Sequence, residues 1–233
     1  MTNHAATPVP ERAVSRYYSA LVRKHGATPW GVDWTCELTQ KLRFIQLMKI
    51  VGQRRRYSLN DLGCGYGALL GFLRDRYRAA PIDYRGIDLS GPMIERARAL
   101  WPDDARSEFT VGGTLSTVAD YSVASGLFNV QLGFSKADWQ AWIRHMLMEL
   151  AVGSQRGFAV NFIAPVAKGI EPLPGLYRSR PEPWIRFCER VLGAQIELVA
   201  GYGLREFTLL VRLAAVARPP RSRAAPSRVR RSV

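Results

Sequence analysis

A chain of 233 residues is long enough for one sizeable hydrophobic core and too short for two comfortable domains, and 47% apolar with 22% charged side chains is ordinary globular composition. No run approaches the roughly 18 apolar residues of a membrane-crossing helix, and the opening MTNHAATPVPERAVSR lacks the apolar stretch of a secretion signal, so a cytoplasmic location is expected. The net charge of +14 points to nucleic acid until it is located: residues 218–233, RPPRSRAAPSRVRRSV, hold six arginines and no acid, which leaves +8 on the rest.

In chain order, residues 11–24 read as a helix and HGATPWGVDW, 25–34, as a loop. Apolar residues then recur at Leu38, Leu42 and Ile45, and at Phe44 and Met48, predicting an amphipathic helix over 35–51 that stops near Gly52. A strand is expected at 57–62, a glycine loop and a helix at 68–77, and a second strand at 82–87 ending on Asp88. Ser90 is a good N-cap for a helix to residue 100, with Pro92 tolerated in its first turn. Strands follow at 108–111 and 121–125, a helix at 138–150, a strand at 158–163 and a helix at 181–192. Runs at 196–200 and 206–213 around Gly201-Tyr202-Gly203 read as a closing hairpin. The tail, rich in proline, serine and like charges, is expected to be disordered.

Five strands separated by helices, then a hairpin, predict an α/β fold: one doubly wound, mostly parallel sheet. Residues 1–37 form an N-terminal helical lid, 38–215 the domain and 216–233 the basic tail. Cys36, Cys64 and Cys188 are odd in number, far apart and without CxxC spacing, so neither a disulfide framework nor a metal site is expected.

In an open sheet of this kind ligands bind beyond the carboxyl ends of the strands. The stretch NDLGCGYG, 60–67, ends a strand on Asp61 and places Gly63, Gly65 and Gly67 where a backbone can turn sharply against a ligand. Gly63-Cys64-Gly65-Tyr66-Gly67-Ala68 also satisfies the dinucleotide fingerprint, so NAD is a candidate. Asp61 opposes it, because a carboxylate at the strand end repels a pyrophosphate in a partly desolvated cleft. S-adenosylmethionine, with an ammonium and a sulfonium, reverses the sign. Asp88, at the end of the second strand, suits the two ribose hydroxyls of either ligand, with Leu89 and Met93 as apolar surface for adenine.

These residues, with Gly86-Ile87-Asp88-Leu89-Ser90 and the 119–126 run ADYSVASG, make residues 38–213 resemble the class I S-adenosylmethionine-dependent methyltransferases. The resemblance implies a Rossmann-like seven-stranded sheet whose last pair includes one antiparallel strand. It implies Asp61, Gly63, Gly65 and Gly67 around the methionine part, Asp88 on the ribose, and further cofactor contacts from Leu89, Met93, Gly113 and Ser125. Many members carry an acid after strand three that accepts from the adenine amino group; here that place reads Val111-Gly112-Gly113-Thr114, so adenine recognition falls to backbone or to Thr114.

Methyl transfer from a sulfonium is an in-line displacement that needs alignment and exclusion of water more than a base, so no catalytic residue is assigned. Ser125-Gly126-Leu127-Phe128-Asn129 is not the Asn/Asp-Pro-Pro-aromatic loop of exocyclic-amine methylation, and no Pro-Cys pair offers a thiolate. The expected acceptor is therefore a small molecule methylated on oxygen, nitrogen or carbon. Phe128 and Asn129 are its foremost candidate contacts, with Tyr18, His25 and Trp34 from the lid; Tyr17 and Trp30 are further lid aromatics. Arg43 is either a partner for the cofactor carboxylate or part of a solvated helix face, and His145 has no evident partner. Two alternatives stay open here: an NAD(P)-dependent oxidoreductase, and a nucleic-acid methyltransferase that uses the basic tail.

Overall fold

The alternation of β-type runs and amphipathic segments folds into one seven-stranded sheet with helices on both faces. The computed structural model describes residues 10–34, 36–78 and 80–214; the tail expected at 216–233 lies outside the described residues. The elements are α1 (Glu11–His25), α2 (Glu37–Met48), β1 (Tyr57–Leu62), α3 (Ala68–Arg76), β2 (Ile82–Asp88), α4 (Gly91–Leu100), β3 (Ser107–Val111), β4 (Ala119–Ala124), α5 (Lys136–Val152), β5 (Ser154–Ile163), α6 (Glu182–Leu192), β6 (Gln195–Ala200) and β7 (Glu206–Arg212). The strand order is β3-β2-β1-β4-β5-β7-β6. The first five strands pair in parallel, and β7 runs antiparallel to both β5 and β6. A dinucleotide fold of order 3-2-1-4-5-6 has no such reversed strand.

Alternation along the strands feeds two cores. On one face Leu59, Tyr84, Val123 and Leu210 pack under Phe44 and Leu47 of α2 and Leu69, Leu70 and Leu73 of α3. On the other, Val160, Phe162, Leu209 and Val211 meet Trp139, Ile143 and Leu147 of α5 and Trp184 and Cys188 of α6. Phe162 stacks on Phe128, Phe207 and Trp184 with centroids 5.2 to 5.4 Å apart.

Between β3 and β4 the chain crosses through residues 112–118 without a helix, where Gly112-Gly113 breaks any helical run. Two local expectations change. Leu38, read as part of the buried stripe of α2, is 77% exposed; the buried face is Gln40, Arg43, Phe44 and Leu47. β5 begins at Ser154, four residues before the expected start, because Gly157 lies at a register irregularity that disguises the strand's period. Among the described residues no helix is long and apolar enough to cross a membrane.

Candidate functional site

A cavity of about 610 Å³ opens over the carboxyl ends of the central strands, within the usual size of a ligand site. Its floor is built by the turn after β1. The Gly63 and Cys64 amides both donate to the Ile87 carbonyl, at 2.7 and 3.1 Å, which binds the end of β1 to that of β2. Gly63 and Gly65 have φ of +76° and +56°, and a Cβ on either would stand 2.9 Å from Leu127 or Val32, so only glycine serves there. Gly67, also at positive φ, meets Phe109 and Trp101 instead, precedes the first residue of α3 and does not line the cavity.

The carboxylates are held by different means. Asp88 accepts from the Gly65 amide at 2.9 Å through Oδ2 and from the Ser90 amide at 2.8 Å through Oδ1. Each oxygen keeps a lone pair for a second donor, so the group faces the cavity in a fixed bidentate pose. Burial raises its pKa, and the two amides oppose that rise. Asp61 accepts a 2.5 Å bond from the Tyr84 hydroxyl on Oδ2, while Oδ1 is buried with no partner among the described residues. Burial, aided by the charge of Asp88 and opposed by the Tyr84 bond, pushes the Asp61 carboxyl up to about 7. A buried acid with an unused oxygen is stabilised by an incoming cation. Glu11 and Asp33 also line the cavity, and the sole basic side chain on its wall among the described residues is Arg43.

Arg43 is not on a solvated face. Its guanidinium is buried, donates to Glu206 through Nε at 3.0 Å and Nη2 at 2.5 Å, and lies 3.8 Å over the Trp34 ring. Glu206 also accepts from Asn161 Nδ2 at 3.0 Å, and Asn161 Oδ1 takes the Gly126 amide at 2.8 Å. This chain fixes the loop after β4 against α2. A Cβ on Gly126, φ +71°, would fall 2.7 Å from Arg43 Nη1, so that nitrogen faces the cavity beside the loop.

The N-terminal helix α1 lies beside these strand ends and lines the cavity. Ser15 Oγ donates to the Leu89 carbonyl at 2.9 Å, and the Ser19 and Ser90 hydroxyls are 2.8 Å apart, so α1 is pinned to the turn after β2. The Ser90 hydroxyl also accepts from the Met93 amide as the cap of α4. Tyr18 and Trp34 reach the cavity, and burial followed by the nearby Asp33 raises the Tyr18 pKa. From Leu127 onward in the chain the lining is apolar apart from Asn129: Leu127 and Val130 flank it after β4, with Trp142 and Met146 from α5, Ile163 at the end of β5, and Leu173, Pro174 and Leu176 from the loop before α6.

Of the residues singled out from sequence, Asp61, Gly63, Gly65, Asp88, Leu89, Met93, Gly113, Ser125, Tyr18, Trp34 and Asn129 converge on the cavity wall. Phe128 does not: its ring is fully buried, stacked on Phe162 behind the wall, and its neighbours Leu127 and Asn129 face the space instead. His25 ends α1 away from the cavity, with its carbonyl accepting from Thr28 Oγ1. Thr114 and His145 are exposed and outside the lining, and Trp30 is 56% exposed. Sequence reasoning missed Tyr84, Asn161, Glu206 and Glu11. Asn161 and Glu206 had a faint signal, as polar residues within or beginning apolar strands; Tyr84 and Glu11 had none short of knowing register and docking.

No protein-family model matches the chain. A Mycobacterium tuberculosis protein named Putative methyltransferase Rv1506c is 39% identical over 168 residues, which are 72% of this chain and all of that protein. The fold is that of magnesium protoporphyrin IX methyltransferase from Synechocystis PCC 6803 with bound S-adenosylmethionine, at TM-score 0.61 and 16% identity over 91% of this chain and 100% of that one. Human N-acetylserotonin methyltransferase, also in complex with S-adenosylmethionine, superposes at TM-score 0.56 and 15% identity over 87% of this chain and 56% of that one. With its reversed seventh strand, its glycine turn and the Mycobacterium tuberculosis relative, the chain belongs to the class I S-adenosylmethionine-dependent methyltransferases.

Proposed function

We propose that the cavity binds S-adenosylmethionine across the ends of β1 and β2 and seats a small, largely apolar acceptor against β4, β5 and α5. The observation that carries this reading is a contrast of charge. Among its described residues, a chain of net charge +14 lines its cavity with four acidic side chains, Glu11, Asp33, Asp61 and Asp88, and one guanidinium already paired to Glu206. Such a wall favours a cationic ligand and disfavours a pyrophosphate or a nucleic-acid backbone.

The residues fit the cofactor in detail. Asp61 Oδ1 is the free acceptor for an ammonium, Arg43 Nη1 is placed for a carboxylate, and the glycine turn leaves no side chain between them. Asp88, oriented by the Gly65 and Ser90 amides, has an acceptor position on each oxygen for the ribose hydroxyls, and Leu89 and Met93 flank the base. When bound, the cofactor supplies a methyl group made electrophilic by its sulfonium. The protein's part is to hold the acceptor in line beside Leu127 and Asn129 and to keep water out with Trp142, Met146, Leu173 and the lid. Among the described residues no histidine lines the cavity.

The test is ligand-dependent stability of the purified chain. S-adenosylhomocysteine at a hundredfold excess over its Kd adds about 2.7 kcal/mol to folding, and the expected result is a raised melting temperature with it and none with NAD or NADP. A shift with the dinucleotides alone would overturn the reading.

A further inference from the structure

Glu11 lies in the first turn of α1 and reaches the cavity, with no hydrogen-bond or ion-pair partner among the described residues. Its place follows from how α1 is pinned. Glu11, Ser15 and Ser19 recur every four residues and share one helix face, and Ser15 and Ser19 make the bonds to Leu89 and Ser90. One turn before Ser15, Glu11 overhangs that anchor by about 6 Å, roughly the ~4.8 Å that separates β2 from its neighbour β3. The overhang carries it to the loop that leaves β3: a Cβ on Gly113 would stand 3.3 Å from Glu11 Oε1 and 3.0 Å from Leu89 Cδ2. Gly113 is not among the glycines of positive φ, so its backbone would accept a side chain; what it lacks is room. The lid helix fills from outside the space that the β3 loop leaves vacant.

With ribose on Asp88 and the base against Leu89 and Met93, the edge of the base remote from the sugar points past Leu89 toward Gly113. In adenine that edge carries an exocyclic amino group, a donor that needs an acceptor when buried. We propose that Glu11 is that acceptor, an inference that rests on the cofactor reading above. The base is then read by a residue of the lid and not by the sheet, so binding of the adenosyl group and closure of α1 are one event.

The experiment compares calorimetric affinities for S-adenosylhomocysteine and for its analogue with hydrogen in place of the 6-amino group. The unaltered protein prefers the amino compound by roughly tenfold or more, the scale of a hydrogen bond to a charged group. Glu11→Ala abolishes the preference, and Glu11→Gln, whose amide oxygen still accepts, keeps part of it. Ser15→Ala, which loosens the lid without touching the acceptor, weakens both ligands alike and leaves their ratio intact. An unchanged ratio in Glu11→Ala, folded as judged by circular dichroism, would overturn the assignment. No binding of either compound by the unaltered protein would overturn the cofactor reading, and this inference with it.

Discussion

At the scale of single residues, Asp61 is the group whose chemistry the ligand must change. With its carboxyl raised to about 7 by burial, the free protein holds a proton that the unfolded chain releases near pH 4. Stability of the free protein therefore falls as pH rises from about 4 to about 7, the reverse of a salt-bridged aspartate. A bound ammonium favours the ionised form, so binding below pH 7 expels the proton. Affinity for S-adenosylhomocysteine is expected to climb by up to about tenfold per pH unit until pH 7 and then level off. Asp61→Asn should flatten that profile and weaken binding by about tenfold or more, while the free variant at pH 8 melts no lower than the parent, since a buried charge without a counter-ion has gone and the amide oxygen can still accept from Tyr84. Calorimetry across pH 5.5 to 8 checks the first part and thermal melting the second; a level profile in the parent contradicts it. Asp61 and Asp88 were legible in the sequence because a strand end and a glycine turn are local features. Tyr84 was not, since its meeting with Asp61 depends on the pairing of β1 with β2. Phe128 was misplaced for a like reason: beyond Gly126 the turn decides which neighbours face the cavity, and composition says nothing of that parity.

Between elements, the decisive tie is the one that joins α2, β5 and β7. Arg43 and Glu206 are 163 positions apart in sequence, with side chains 5% and 4% exposed. Removing one member of such a pair strands the other charge in the core, so Glu206→Ala should cost about 3–5 kcal/mol in urea unfolding. It should also weaken ligand binding, because the loop at Gly126 loses its anchor through Asn161. A second expectation concerns Gly157 of β5. A Cβ there would lie 2.2 Å from the Val211 carbonyl oxygen, a backbone atom of the paired strand, so Gly157→Ala must part β5 from β7 and should destabilise by more than 2 kcal/mol. A loss under 0.5 kcal/mol would mean that the register irregularity relaxes freely. These positions show why the fold was readable and its ties were not. Strand and helix periods are written locally, and β1, the turn to α3 and the cap at Ser90 stand where they were expected. Ser135-Lys136-Ala137-Asp138 even carried a cap that places the start of α5 two residues earlier than read, with the Ser135 hydroxyl accepting from the Asp138 amide at 3.1 Å. The burial of Arg43 required knowing a strand 163 residues away.

Over the whole molecule, charge is segregated: the chain is strongly basic, yet its cavity is acidic and apolar. If the cavity alone recognises the ligands, the arginine-rich end is dispensable for them. The described pairing supports that separation, because β7 completes its ladder with β5 and β6 at Arg212, and the Leu213 amide is already bonded to the Arg156 carbonyl. A chain ending at Ala214 is therefore expected to melt at the same temperature as the full chain and to bind S-adenosylhomocysteine with unchanged affinity. Affinity should also be nearly independent of salt between 50 and 200 mM in both forms, since contacts inside a desolvated cavity are weakly screened. Recognition through phosphate contacts behaves otherwise, losing about 10³ or more over that interval for six contacts. Melting and calorimetry on the two chains, each at both salt concentrations, decide the matter. A truncated chain that binds the cofactor less tightly would place part of the site in residues 215–233. One that keeps cofactor affinity but loses a steeply salt-dependent affinity for RNA would return a nucleic-acid acceptor to consideration.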